Sequence, residues 1–174
     1  MYIKNIAFLS LLCLLLSPAY KGFAQLPELG ISKYMVDTST IDMTDPKPGQ
    51  YIRIYTHHFL EDPGTRKARL SEAFFDTLYQ IIDALPQCTF EVGMHTSSEG
   101  ADTRNFNLSQ RRSASIAAYL ILYCNVSRER LLTMGYGETQ PLNECDNNTD
   151  CPPEKRALNQ RMELLICDIL PASR

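Results

Sequence analysis

The feature of this sequence that most constrains its fold is an alternation of strand-like and helix-like patterns. Residues 50–59 (QYIRIYTHHF) alternate in polarity and are rich in residues that favour strands. Apolar residues then recur every three or four positions over about 66–85, which predicts one face of a helix that Pro86 ends. A strand that leads into a helix in this way is typical of proteins in which helices cover a sheet.

The same order of elements repeats along the rest of the chain. The remaining predicted elements are a second strand, a second helix and two further strands, at residues 89–95, 102–124, 131–136 and 160–169. Asp102 or Thr103 is expected to cap the second helix, whose apolar face would carry Leu108, Ile116, Leu120 and Ile121. The order β-α-β-α-β-β predicts the α/β class, as an α+β sandwich of two helices packed on a mixed sheet.

The first 24 residues carry the pattern of a signal peptide. Lys4 precedes an apolar run over residues 6–16, which is shorter than the ~20 residues that span a bilayer as a helix. Gly22-Phe23-Ala24 offers small residues at a cleavage site, and Ser17-Pro18-Ala19 is a weaker alternative. Cys13 suggests a lipoprotein, but the residues before it form a poor lipobox. Export, with no transmembrane span in the mature chain, is therefore expected.

The expected organisation follows from this cleavage. Residues 1–24 are predicted to be the signal peptide, 25–49 a lead-in segment with one short strand near 33–36, and 50–170 a single domain. Cleavage would remove two of the 17 basic residues and none of the 20 acidic ones, so the formal net charge would change from −3 to −5. A nucleic-acid partner is not expected, because it would require a basic surplus.

The cysteines are interpreted in the light of export. Cys145 and Cys151 flank a polar five-residue sequence, and an oxidising compartment favours a local disulfide between them. A metal site is the alternative, but CxxC spacing and a nearby histidine are both missing from the sequence. The other three cysteines of the mature chain lie in or beside apolar segments and are expected to be buried free thiols: Cys88, Cys124 and Cys167.

The second predicted helix contains a charged residue on its apolar stripe. Arg112 lies four residues after Leu108 and four before Ile116, and Asn105 lies on the same face about two turns earlier. An inward guanidinium needs a paired anion. That anion could belong to one of three acids, Asp102, Glu138 or Glu163. It could also be a ligand carboxylate in a pocket at the strand-to-helix junction, which an arginine binds with two hydrogen bonds.

Several short motifs occur in a recognisable order. They are HTS at 95–97 with Gly100, Asn105 with LSQRR at 108–112, YL at 119–120, GYGE at 135–138 with Pro141, and NQRME at 159–163. Together they resemble the OmpA-like domain family, which includes the C-terminal domain of outer membrane protein A, the Pal lipoproteins and the stator protein MotB. The loop between Cys145 and Cys151 resembles that of family members from Bacteroidetes-like bacteria. The resemblance covers about residues 50–169.

The resemblance implies a non-catalytic module that binds the peptidoglycan peptide non-covalently, especially its diaminopimelate residue. Its location would be the periplasm, associated with the cell wall or the outer membrane, and it would need no cofactor or metal. Arg112 occupies the position of the family's arginine and would clamp a ligand carboxylate. Asn105 would hydrogen-bond the same ligand and brace the loop. Thr96 and the backbone of 98–100 would supply further donors, and Arg161 would add positive potential or brace the site.

One position departs from the family pattern. Ser97 replaces an aspartate that is a main ligand contact in the family, and this loss of charge is expected to weaken binding. Glu99 and Asp102 are near in sequence and are candidate substitutes. A milder departure is Gln160, which replaces the family's first closing arginine.

Two alternative functions are compatible with the sequence. A degenerate family member would act as a protein-interaction or scaffold module, with outer-membrane proteins as its partners. An enzyme would need a nucleophile, and Ser97 could pair with His95 because the two residues share a face. No third orienting group and no GxSxG pattern accompanies this pair, so catalysis is not expected.

Overall fold

The computed structural model describes residues 36–37, 40–59 and 70–171, so the predicted signal peptide lies outside the described residues. The strands are β1 (Val36–Asp37), β2 (Tyr51–Tyr55), β3 (Cys88–His95), β4 (Leu131–Gly137) and β5 (Arg161–Ile169). The helices are α1 (Glu72–Ala84), α2 (Asp102–Tyr123) and a short α3 (Pro153–Ala157) that the sequence analysis did not predict. Single 3-10 turns occupy Thr56–Phe59 and Arg128–Arg130. The predicted class and the order of the main elements are confirmed.

The five strands form one mixed sheet in the order β1-β2-β5-β3-β4. β3 and β4 are parallel, whereas β5 is antiparallel to both β2 and β3. The last strand therefore lies in the centre of the sheet. Its first residue, Arg161, is opposite His95, the last residue of β3. This register brings the closing motif of the chain beside the junction between β3 and α2.

One face of the sheet carries the hydrophobic core. Alternate residues of β2, β3 and β5 point to this face and are fully buried against α1 and α2, among them Ile52, Ile54, Phe90, Val92, Met162 and Leu164. Each such side chain contributes roughly 1.5–3 kcal/mol when it is buried. The residues between them point to the opposite face, which is polar in its centre and carries Arg53, His95, Tyr136 and Glu163.

Helix α1 begins later than predicted. Ser71 is its N-cap with extended backbone, and Leu70 forms an isolated bridge, so the predicted start at about residue 66 is wrong. Residues 60–69 lie outside the described residues. At the other end of α1, the Arg130 guanidinium donates hydrogen bonds to the carbonyl oxygens of Ile82 at 3.1 Å, Leu85 at 2.8 Å and Cys88 at 3.0 Å. This side chain ties the end of α1 to the beginnings of β3 and β4.

Helix α2 contacts the sheet through small residues. Its buried residues are Asn105, Ser109, Ser113, Ile116, Ala117 and Leu120. Ser113 donates to the Val92 carbonyl at 2.6 Å, and a Cβ added at Gly135 would lie 2.2 Å from the Gln110 nitrogen. The helix therefore packs directly on the backbone of β3 and β4.

Only half of the residues predicted for the apolar stripe of α2 lie in the core. Ile116 and Leu120 are in the core, but Leu108 and Ile121 are half-buried, because the two serines let a neighbouring face approach the sheet. The predicted cap is also wrong, since Ala101 is the N-cap and Asp102 is the first helical residue. Within the described part of the chain, no helix is both long and apolar enough to cross a membrane.

Candidate functional site

The segment between β3 and α2 begins with three buried residues. Thr96, Ser97 and Ser98 each expose 6% or less of their surface although they lie outside regular structure. The Thr96 backbone nitrogen donates to the Gly137 carbonyl at 2.8 Å, and the Ser98 hydroxyl donates to the Cys145 carbonyl at 2.9 Å. The end of β4 and the disulfide loop thus hold this segment from two sides.

Asn105 connects the loop to the first turns of α2. Its side chain is buried, and Nδ2 lies within hydrogen-bonding distance of three oxygens. These are the carbonyl oxygens of Ser97 at 3.3 Å and Glu99 at 3.2 Å, and the Glu138 carboxylate oxygen Oε2. Asn105 therefore braces the loop, which is one of the two roles that the family resemblance implies for it.

Arg112 is half-buried on α2, and within the described residues it forms no hydrogen bond and no ion pair. Burial lowers the pKa of its guanidinium, which stays charged because arginine does not deprotonate in proteins. It pairs with none of the three acids proposed as internal partners. Of the two alternatives for Arg112, the internal salt bridge is therefore not formed within the described part of the chain.

Two hydroxyl groups of the loop differ in their contacts. The Thr96 hydroxyl is buried and forms no hydrogen bond with any residue that the structure describes. The Ser97 hydroxyl accepts one long hydrogen bond of 3.4 Å from Gln160 Nε2. Buried polar groups are rarely left without partners, so the Thr96 hydroxyl is an exception in this loop.

Glu138 lies beside these residues, although it was not among the predicted site residues. One carboxylate oxygen accepts from Asn105, and the other accepts from Asn147 Nδ2 at 2.7 Å. The acids proposed as substitutes for the missing aspartate, Glu99 and Asp102, are exposed. The GYGE motif could have indicated Glu138 from the sequence, because it places this residue directly after β4.

Arg161 is buried under the site and fully engaged. It donates to Glu163 Oε1 at 2.8 Å and to the carbonyl oxygens of Asn159 at 3.3 Å and Gln140 at 2.9 Å. Burial alone would raise the pKa of the Glu163 carboxyl, but the neighbouring His95 and Arg161 outweigh burial and hold it far below its ordinary range. These contacts fit the bracing role that was one of the two predicted for Arg161.

His95 belongs to this charged cluster rather than to the loop. Its ring stacks on Tyr136 at a centroid distance of 4.8 Å, and Nε2 lies 3.6 Å from Glu163 Oε2. Burial lowers the pKa of His95, which favours the neutral form. Among the described residues no hydrogen bond joins His95 to Ser97, so the Ser–His pair considered for catalysis is not formed.

The predicted disulfide between Cys145 and Cys151 is present, and its loop contacts the site. Arg156 donates to the Thr149 carbonyl inside the loop at 2.6 Å and to the Ser98 hydroxyl at 3.1 Å. The other described cysteines are free. Cys88 is buried, whereas Cys124 and Cys167 are only half-buried. Over residues 36–37, 40–59 and 70–171, no His, Cys, Asp and Glu side chains cluster in a group that could hold a metal ion.

Sequence comparisons match this chain to known proteins over its central part. The model of the OmpA family matches residues 64–153. Outer membrane porin F of Pseudomonas aeruginosa is 32% identical over 100 residues, covering 56% of this chain and 27% of the porin. Outer membrane porin F of Pseudomonas fluorescens is 38% identical over 78 residues, covering 45% and 22%. The chain thus spans about a quarter of the length of these curated relatives.

Solved structures share the fold over more of the chain. A MotB-like protein from Desulfovibrio vulgaris superposes with a TM-score of 0.62 at 18% identity, covering 87% of this chain and 89% of that one. The periplasmic domain of Helicobacter pylori MotB (residues 90–256) gives a TM-score of 0.56 at 20% identity, covering 76% and 86%. At these identities the likeness establishes the fold.

Proposed function

Because this chain belongs to the OmpA family, we propose that it is a non-catalytic cell-wall-binding module that holds a peptidoglycan peptide at the junction of β3 and α2. One observation carries the proposal. Arg112 is a half-buried cation that has no anion among the described residues, on the same helix as the buried Asn105. A desolvated charge of this kind is costly unless a partner arrives.

The proposed ligand is the diaminopimelate residue of the peptide, whose free end carries a carboxylate and an ammonium group. Arg112 binds the carboxylate with two parallel hydrogen bonds. The Thr96 hydroxyl, buried and without a partner, donates a further hydrogen bond. Asn105 and Arg161 act mainly through the loop and the sheet that they brace.

The proposed location is the periplasm. Residues 1–24 serve as the signal peptide, and the domain faces the cell wall after export. The family and the names of its relatives support this proposal, since they include outer membrane porins and the periplasmic domain of a MotB protein.

A second candidate function is attachment to a protein partner, such as an outer-membrane protein. Leu122 and Tyr123 at the end of α2 are 73% and 76% exposed. They adjoin Tyr119, which stacks on Phe75 of α1 at 3.9 Å. Contiguous exposed apolar side chains commonly mark interaction surfaces.

Co-sedimentation with insoluble, diaminopimelate-containing peptidoglycan tests the first function. Wild type should sediment with the wall, and free diaminopimelate should release it. Arg112→Ala should lose binding while keeping the wild-type melting temperature, because Arg112 forms no hydrogen bond or ion pair with another described residue. Arg111→Ala is the matched control, since Arg111 is the exposed neighbour on the same helix and should leave binding unchanged.

Two results would contradict the proposal. If Arg112→Ala sediments like wild type, the guanidinium does not serve the ligand. If wild type does not sediment at all, cell-wall binding is refuted, and the exposed face at Leu122 and Tyr123 becomes the candidate binding surface.

A further inference from the structure

The site lacks an obvious anion for the ligand's ammonium group. The family's aspartate is Ser97 in this chain, and its hydroxyl carries no charge. The two acids nearest in sequence, Glu99 and Asp102, are exposed. A zwitterionic ligand held by Arg112 alone would leave its ammonium group unpaired.

We propose that Glu138 supplies this negative charge and thereby determines the preference for a ligand with an ammonium group beside its carboxylate. This inference rests on the proposed function. Glu138 follows Gly137, whose carbonyl accepts from the Thr96 nitrogen at 2.8 Å. The Asn105 Nδ2 atom lies 3.3 Å from the Ser97 carbonyl and also donates to the Glu138 carboxylate. One amide nitrogen thus links the carboxylate to the residue where the family has its acid.

The Glu138 carboxylate is oriented but not neutralised. Its two oxygens accept from the side-chain amides of Asn105 and Asn147, which are uncharged donors. Among the described residues no lysine, arginine or histidine forms an ion pair with it. Because a carboxylate offers about four lone-pair sites, Glu138 can still accept hydrogen bonds from an ammonium group.

Two charges of opposite sign, neither in an ion pair with another described residue, thus lie on neighbouring elements. Arg112 lies on α2, and Glu138 lies at the end of β4, which packs against α2. An amino-acid end group presents a carboxylate and an ammonium on one carbon atom and can satisfy both charges. A ligand with a carboxylate only would satisfy Arg112 and leave Glu138 unused.

Calorimetric titration with two probes tests the inference. The probes are diaminopimelate and pimelate, which has the same carbon chain and both carboxylates but no amino groups. We expect Glu138→Gln to weaken diaminopimelate binding about tenfold, as for loss of one charge-assisted contact, and to leave pimelate binding unchanged. Glu144→Gln is the control, because Glu144 is an exposed acid directly before the disulfide loop and pairs with Lys155. It should change neither affinity.

A rescue variant separates the charge from its position. In the Glu138→Gln background, Ser97→Asp returns a carboxylate to the family's position and should restore diaminopimelate binding about tenfold. If Glu138→Gln weakens both probes equally, or if Ser97→Asp fails to rescue, Glu138 acts only through the structure and the inference is overturned. If wild type sediments with the wall but Glu138→Gln binds diaminopimelate normally, the inference fails while the proposed function stands.

Discussion

The disulfide loop offers a direct test of how the site is held. Replacing both Cys145 and Cys151 with serine opens a loop whose ends are six residues apart in sequence. Closing a loop of that length stabilises the folded state by about 2 kcal/mol in the chain-entropy model. The Cys145 carbonyl accepts a hydrogen bond from Ser98, and Arg156 joins the loop to the same serine. Opening the loop should therefore loosen the buried segment at the site as well as the loop itself.

We expect the free energy of unfolding of the double serine variant to fall by about 2 kcal/mol. For a domain of this size that corresponds to a melting temperature lower by about 4–8 °C. The proposed binding to peptidoglycan should weaken too, because the ligand would have to order the segment around Ser98 when it binds.

Urea and thermal unfolding, each with and without a reductant, measure these effects. When wild type is reduced, its stability should approach that of the variant. The stability of the variant should not respond to reductant, although the variant keeps Cys88, Cys124 and Cys167. Peptide mapping of the unreduced protein provides the control for the starting state. An unfolding free energy equal to that of wild type would refute the reasoning, since the loop would then be rigid without its bond.

Two further predictions concern stability. Arg130→Ala removes three hydrogen bonds to carbonyl oxygens at the end of α1 and the start of β3. It should lower the free energy of unfolding, measured with urea, by about 3 kcal/mol. Arg128→Ala is the control, because Arg128 is exposed and its replacement should leave this free energy unchanged. Because burial lowers the pKa of His95, the unfolded state binds a proton that the folded state excludes, and stability falls as the pH falls through about 6.5. Between pH 7.5 and 5.5, wild type should lose up to about 1.4 kcal/mol more than His95→Gln, and equal losses would show that His95 titrates normally in the fold.

Much of the fold could be predicted because its signals are local. Strand alternation, helical periodicity and the stop at Pro86 depend on neighbouring residues, and so does the pairing of Cys145 with Cys151. Asn105 and Arg112 could be placed on one helix by spacing alone. These predictions needed no knowledge of which elements pack together.

Other parts of the site could not be predicted because they depend on tertiary contacts. Ser109 and Ser113 resemble solvent-facing residues, yet both are fully buried, Ser109 against Gly135 of β4 and Ser113 against the Val92 carbonyl of β3. Because these serines face the sheet, α2 is rotated about its axis in such a way that Leu108 is only half-buried. Glu138 reaches Asn105 because the end of β4 packs beside the first turns of α2, and Arg156 reaches Ser98 beside the disulfide loop. Spacing along the chain reveals neither contact.

The direct packing of α2 on the sheet has a mechanical consequence. Since a Cβ at Gly135 would come within 2.2 Å of the Gln110 nitrogen, no compressible layer of side chains separates helix from strand there. Tension applied to a ligand held by Arg112 would pass from α2 into β4 with little elastic deformation of the contact. In a module attached to a stiff polymer network such as the cell wall, this contact would make the domain a rigid link that transmits load instead of absorbing it.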